Sequence, residues 1–146
     1  MYIDKQNLFD NDVALTATRV SINAVDLGRA SQNLGAGESL FVYFTVTTIL
    51  DSSGEGATLN IGLITDDDAA LGSPVVIQDQ PAVITEATLV AGYEVIFRIK
   101  PYASMLQYLG IAYTVGTENF TSGKITCGLV HDVPIWAAYP KNYVTA

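Results

Sequence analysis

Few residues of this chain could do covalent or acid–base chemistry. There is one histidine, His131, and one cysteine, Cys127. On a strand, a spacing of four residues separates them by about 13 Å, which is beyond the reach of a Cys–His pair. No G-x-S-x-G pattern supplies a serine nucleophile for His131 and Asp132. The sequence therefore predicts a buried, inert thiol, a histidine at a strand end and no catalytic residue.

Carboxylates are more plentiful, but their spacing favours structural roles. Asp66, Asp67 and Asp68 are the best candidate ligands for a cation, since clustered carboxylates suit calcium. The EF-hand pattern is absent, and a surface turn is the preferred interpretation. Glu94 lies inside a strand pattern and shares a face with Arg98, which predicts an ion pair rather than a glycosidase acid.

Sites for metals and cofactors that rely on other residue types are also not indicated. One cysteine and one histidine do not supply the three or four ligands of a zinc site. The glycine-rich stretches 35–37 and 54–59 lack the third glycine or the lysine of phosphate-binding loops. We therefore expect no metal, no cofactor and no enzymatic activity.

The composition is that of one folded domain without a basic surface. Of the 146 residues, 49% are hydrophobic and 15% charged, and the formal net charge is −8. No lysine or arginine occurs between Arg29 and Arg98. Because phosphates and anionic lipids require basic residues, we expect neither nucleic acid nor a membrane as partner. With no apolar run of about 18 residues and no signal peptide, we expect synthesis in a cytoplasm or release by lysis.

Alternation of apolar with small or polar residues predicts an all-β fold. The pattern is clearest in 107–115 and 125–130, which we interpret as a hairpin around a turn-rich loop. Segments 40–50 and 57–65 predict a second hairpin, and shorter strands are expected at 24–27, 74–77, 82–84 and 93–99. These segments indicate a single sandwich or barrel over 1–146. The predicted core is Val42, Phe44, Val46, Leu59, Ile61, Val95, Phe97, Ile111, Tyr113 and Leu129.

Both ends of the chain lack this periodicity. Residues 1–22 are interpreted as an extended N-terminal arm, and residues 134–146 as an aromatic, proline-broken C-terminal tail. Apolar residues without a place in a strand pattern need a surface to cover. Aromatic residues of this kind anchor protein interfaces or stack on sugars. The predicted interface residues are Tyr2, Ile3, Leu8, Phe9, Ile135, Trp136, Tyr139 and Tyr143.

An ordered set of short motifs resembles the capsid cement proteins of certain short-tailed phages. The markers are MYIDKQNLF at the start, the turn Val90-Ala-Gly-Tyr93 leading into a strand, and a late strand pair. That pair carries Tyr108-Leu109, Tyr113-Thr-Val115 and Phe120-Thr-x-Gly-Lys124. The resemblance spans nearly the whole chain. It implies a jelly-roll-like β-sandwich that binds the outside of a capsid and stabilises contacts between major capsid proteins.

The resemblance also implies where the protein acts and with what. It suggests a structural virion protein on the outer capsid surface, present in the host cytoplasm during assembly. Its partners would be the major capsid protein and a second copy in a homodimer, the commonest closed symmetry. A rival hypothesis from another class is a carbohydrate-binding jelly-roll module, such as a phage adhesin, with Trp136 and tyrosines as sugar platforms. A small glycan hydrolase is the third and weakest hypothesis.

Overall fold

The computed structural model describes residues 4–29, 39–80, 82–102 and 104–131. Short 3-10 turns occur at Lys5–Asn7 and Glu86–Thr88. The ten strands within the described ranges are β1 (Leu8–Ala14), β2 (Arg19–Val20), β3 (Val25–Asp26), β4 (Phe41–Ser52), β5 (Thr58–Asp66), β6 (Val75–Asp79), β7 (Ile84–Thr85), β8 (Glu94–Arg98), β9 (Tyr108–Gly116) and β10 (Phe120–Val130).

The strands pair antiparallel in two sheets. The first sheet has the order β1-β10-β4-β8, and the second has the order β2-β9-β5-β6. In the second sheet β3 also pairs with β9, and β7 also pairs with β5. If β2 with β3, and β6 with β7, each count as one interrupted strand, the connectivity is that of an eight-stranded jelly roll. The fold is an all-β sandwich, which confirms the predicted fold class.

Strand β4 shows how the sequence selects this architecture. It is rich in β-branched and aromatic side chains, which favour extended backbone. Val42, Phe44 and Val46 lie on its inner face and are almost completely buried. Burying each such side chain contributes about 1.5–3 kcal/mol to folding. The alternation of β4 therefore fixes which face of the first sheet meets the second.

The side chains between the sheets form one continuous core. Phe44 and Tyr113 meet across the sandwich with ring centroids 6.2 Å apart, within the range of favourable aromatic pairs. Nine of the ten predicted core residues belong to this cluster, and the tenth, Val95, is partly buried and packs against it. The core also contains residues outside the predicted set, among them Phe9, Leu15, Leu50, Leu63, Leu89, Ile99 and Met105.

The two predicted hairpins are wrong in their pairing, although their strands are confirmed. Strand β4 lies in the first sheet and β5 in the second, while β9 lies in the second and β10 in the first. Each connection therefore crosses from one sheet to the other. Alternation reports which face of a strand is buried and not which strand is its neighbour. Two strands joined by a short turn fit either arrangement.

The described part of the predicted N-terminal arm is built into both sheets. Strand β1 pairs with β10, and β2 pairs with β9. Two register shifts interrupt β1, and Asp12 within it has a φ of 50°. Such bulges break the two-residue period by which a strand is detected in a sequence. The lack of periodicity in 8–14 therefore marks an irregular edge strand rather than an arm.

Candidate interaction surface

A buried carboxylate joins the two sheets beside β1 and β2. Asp10 has no exposed area and accepts hydrogen bonds from Arg19 Nη1 at 3.1 and 3.3 Å. The Tyr113 hydroxyl donates to it at 2.7 Å, and the Ile22 amide at 3.3 Å. The Arg19 guanidinium also lies 5.0 Å from the centroid of the Tyr113 ring. We call these four residues the Asp10 network.

The Asp10 network and its neighbour Cys127 are structural rather than reactive. Burial raises the pKa of the Cys127 thiol to about 12, and the thiol is fully buried, which confirms the prediction of an inert cysteine. Burial likewise raises the pKa of Tyr113 well above its usual value. Neither group ionises at neutral pH. The network therefore stabilises the sandwich and offers no nucleophile.

The predicted surface turn holds for Asp67 and Asp68, whereas Asp66 is the last, buried residue of strand β5. Asp66 accepts hydrogen bonds from the amides of Asp67 at 2.7 Å, Ser73 at 2.9 Å and Asp68 at 3.3 Å. The Ser73 bond is the main reason that the pKa of Asp66 lies below its ordinary value. Asp66 itself is buried, whereas Asp67 and Asp68 are exposed. A group of three His, Cys, Asp or Glu side chains placed to hold a metal ion does not occur within the described ranges.

One proposed ion pair is absent. The Glu94 carboxylate instead accepts a hydrogen bond of 2.6 Å from the Tyr43 hydroxyl on the neighbouring strand β4. Within the described ranges the ion pairs are Arg19–Asp10 and Lys124–Asp12. The prediction of a Glu94–Arg98 pair is therefore wrong, since side chains four residues apart along one strand lie farther apart than cross-strand neighbours.

A second polar cluster lies where β4 crosses to β5 and β9 crosses to β10. Glu86 accepts hydrogen bonds from the Ser52 amide at 2.7 Å, the Ser52 hydroxyl at 2.6 Å and the Ala57 amide at 3.1 Å. Glu118 Oε1 lies 2.9 Å from the same hydroxyl oxygen, whose single proton serves the shorter bond to Glu86, and Glu118 accepts from the amides of Gly56 and Gly54 at 2.9 and 3.2 Å. We call this set the corner cluster.

The corner cluster holds both sheet crossings in place without a basic side chain. The hydrogen bond from the Ser52 hydroxyl is the main cause that lowers the pKa of Glu86, and the Ser52 and Ala57 amides lower it further. Gly54 makes room for Glu118, because a Cβ at that position would lie 2.6 Å from the carboxylate. The cluster therefore fixes the loop 53–57 against the loop 117–119.

A shallow groove of about 210 Å³ adjoins the corner cluster. Its floor includes Leu50 and Glu86, both buried. Ile49 and Val90 are each 48% exposed on its walls. The remaining lining residues are Asp51, Glu55 and Ala87, all exposed. We call this feature the corner groove.

The corner groove was not predicted from the sequence. Ile49 continues an apolar strand, and Val90 lies in a connecting loop, so neither position signals exposure. Glu86 looks like an ordinary acidic residue at the start of a short 3-10 helix. The one available signal was the absence of basic residues from 30–97, the stretch that supplies every residue of the groove.

The predicted interface residues are only partly within the described ranges. Phe9 lies entirely inside the core, and Leu8 is half-buried on β1 opposite Gly128. Phe9 is therefore part of the protein's own packing and not available to a partner. The other six predicted interface residues lie outside the described residues: Tyr2, Ile3, Ile135, Trp136, Tyr139 and Tyr143.

Several large apolar side chains are exposed on the sandwich itself. They are Ile22, Ile49, Val75, Val76, Val83, Val90 and Ile96. Val75 and Val76 lie on the edge strand β6 and Ile96 on the edge strand β8, while Ile49 and Val90 lie in the corner groove. Within the described ranges, none of the helices is long and apolar enough to cross a membrane.

Comparison with known proteins identifies a family for this sandwich. A search of curated proteins found no match. The Bbp16 family model, in contrast, matches residues 9–129, which run from Phe9 in β1 to Leu129 in β10. The match thus covers most of the chain and all but the outermost residues of the sandwich. The chain belongs to the Bbp16 family, a phage-associated family.

Proposed function

We propose that this protein is a capsid cement protein, a non-enzymatic virion component that binds the outside of a phage shell. Membership of a phage-associated family over residues 9–129 is the observation that carries the proposal. The ordered motifs of the sequence, which resemble cement proteins, point in the same direction. A rigid jelly roll suits this role, because a cement protein acts through surface contacts repeated over many copies.

The surface chemistry of the described residues supports a protein partner. Exposed valines and isoleucines lie on edge strands and beside the corner groove. Apolar surface of this kind favours association with other proteins. The formal charge of −8 opposes nucleic acids and anionic membranes. We infer that the partners are the major capsid protein and a second copy of the chain, at the outer capsid surface, with assembly in the host cytoplasm.

The terminal segments are proposed to supply much of the attachment. Tyr2 and Ile3 at one end, and Trp136, Tyr139 and Tyr143 at the other, are apolar residues outside any strand pattern. Phe9 no longer belongs to this proposal, since the core buries it. Contacts of this apolar kind should persist at about 1 M salt, where the Debye length is about 3 Å and charge-driven contacts weaken.

The test is decoration of empty shells that lack this protein. Purified protein is added and the particles are imaged by electron microscopy, which should show extra density on the outer surface at regular positions. Decoration that follows added protein, and that raises the temperature at which shells disassemble, supports the proposal. Undecorated shells, together with binding to a glycan array, would instead favour the carbohydrate-binding alternative.

Truncations locate the attachment. The N-terminal deletion should remove residues 1–3 only, because a deletion that extends through residue 9 also removes the 3-10 turn and the core residue Phe9. The C-terminal deletion removes residues 135–146. Each variant must first show the unfolding temperature of the intact chain within about 2 °C, which establishes that it is folded. Undiminished decoration by both folded variants would move the attachment to the sandwich body.

A further inference from the structure

We propose that the corner groove receives a lysine or arginine side chain, flanked by apolar residues, from the shell protein to which this chain attaches. The inference rests on the proposed function and adds to it a docking position and the chemistry of the partner segment. Charge complementarity, groove size and the distribution of exposed apolar surface carry it.

The groove combines apolar walls with two carboxylates, those of Asp51 and Glu55, that have no partner among the described residues. Ile49 and Val90 are each 48% exposed, although β4 buries most of its apolar residues. Within the described residues, neither Asp51 nor Glu55 has a hydrogen-bond donor or an ion-pair partner for its carboxylate. Both carboxylates are exposed and free to meet a cation from outside the chain.

The third carboxylate of the groove is fixed. Glu86 is held by the Ser52 hydroxyl and by the amides of Ser52 and Ala57, and its pKa is lowered, so it stays ionised at neutral pH. The Glu86 carboxylate is therefore not free to move toward a bound cation, but its charge adds to the negative potential at the floor of the groove. No basic residue lies among the groove residues.

The size of the groove selects a side chain rather than a small molecule. Its volume of about 210 Å³ is below the range of about 300–1,000 Å³ that is usual for ligand pockets. Lysine and arginine lay a long apolar stem along apolar surface while the charged head stays near water. Here the stem would contact Ile49, Ala87 and Val90, and the head would meet Asp51 and Glu55.

The groove is also well prepared to bind. Hydrogen bonds of the corner cluster hold the loop that carries Glu55, and the Leu50 amide donates to the Leu89 carbonyl at 3.1 Å, which fixes the segment leading to Val90. A preformed site loses little conformational entropy on binding. Both walls of the groove are therefore positioned before a partner arrives.

The experiment compares two double variants of the full-length chain in the shell-decoration assay. The groove variant carries Asp51→Asn and Glu55→Gln, which remove charge and keep side-chain size. The control carries Asp67→Asn and Asp68→Asn in the turn after β5, which remove the same amount of charge at exposed positions outside the groove. We expect the groove variant to bind shells about tenfold or more weakly, as for loss of a central charged contact, and the control to bind like the intact protein.

Salt sharpens the comparison. Decoration by the intact protein should persist at about 1 M salt with reduced affinity, whereas the groove variant should already be weak and nearly insensitive to salt. If the intact protein fails to decorate shells, the proposed function fails. If the intact protein decorates and the groove variant decorates equally well at every salt concentration, the groove inference alone is overturned. The unfolding temperature of both variants establishes that they are folded.

Discussion

The Asp10 network and the corner cluster both use carboxylates to join the two sheets, but they balance the charge differently. Asp10 has no exposed area and faces Arg19. Among the described residues, Glu86 and Glu118 both contact the single hydroxyl of Ser52 and otherwise accept hydrogen bonds only from backbone amides. The difference indicates two uses for a carboxylate. A carboxylate that is paired with a basic side chain of the same protein stabilises the fold. A carboxylate without such a pair leaves negative potential at the surface, where a partner can bind.

Removal of the Asp10 carboxylate should have the largest effect on stability. Asp10→Ala leaves Arg19 with an unpaired charge beside the core and the Tyr113 hydroxyl without its acceptor. Breaking a buried pair in this way costs about 3–5 kcal/mol. Urea unfolding followed by circular dichroism measures the loss. The double variant Asp10→Ala with Arg19→Met should recover part of the lost stability, since it leaves no unpaired charge. A loss below about 1 kcal/mol for Asp10→Ala alone would show that the ion pair is dispensable for stability.

The second largest loss of stability is expected when a single hydrogen bond of the Asp10 network is removed. Tyr113→Phe keeps the ring that packs on Phe44 and lies under Arg19, and removes only the hydroxyl that donates to Asp10. A hydrogen bond to a charged group is worth about 1.5–3 kcal/mol. The same denaturant measurement should give a loss in that range. Tyr108→Phe, at a half-buried position on the same strand, is the matched control and should change stability far less.

The contrast between these regions also explains what could be predicted from the sequence. Inner faces of β4, β5, β9 and β10 were predictable, since their two-residue alternation is the direct consequence of one buried face. Strand β1 was not, because bulges around Asp10 and Asp12 break that period. From the sequence, the crossing loops 53–57 and 117–119 are predicted as hairpin turns, since nothing in the local sequence distinguishes a turn within a sheet from one between sheets.

The candidate sites were less predictable than the fold for a related reason. Asp10 and Arg19 lie nine residues apart in a stretch without periodicity, and Tyr113 follows far along the chain. Ser52, Glu86 and Glu118 are likewise brought together only by the sheet crossings. Long-range polar clusters leave no local pattern. The one signal in the sequence is that residues 30–97 contain acidic residues but no lysine or arginine, which indicates uncompensated negative charge on part of the surface.

The corner cluster should make stability depend on pH. The pKa of Glu86 in the folded protein lies below its ordinary value of 4.5. The unfolded chain therefore takes up a proton first as the pH falls, so this contribution is complete above about pH 4.5 and is lost below it. Unfolding temperatures measured across this range should decline, and Ser52→Ala should make the decline shallower, since it removes the main cause of the lowered pKa.

Ser53→Ala is the matched control for that experiment. Ser53 is exposed and makes no hydrogen bond to Glu86, so its pH profile should follow that of the intact protein. A profile for Ser52→Ala as steep as that of the control would mean that other carboxyl groups dominate the acid response. The corner cluster would then be a polar contact without influence on the pH dependence.

The smallest effect is expected at the exposed ion pair two residues from Asp10. Lys124 Nζ lies 2.9 Å from Asp12 Oδ2, and about half of each side chain is exposed. The bond to Lys124, and then that from the Thr47 hydroxyl, lowers the pKa of Asp12, but solvent screens a pair in this position. Asp12→Asn should therefore shift the unfolding temperature by no more than about 1–2 °C.

Asp12→Ala should lower the unfolding temperature further than Asp12→Asn, because φ at this residue is 50° and asparagine tolerates the left-handed region better than alanine. Equal losses for the two variants would mean that the charge, and not the backbone conformation, accounts for the aspartate at this bulge.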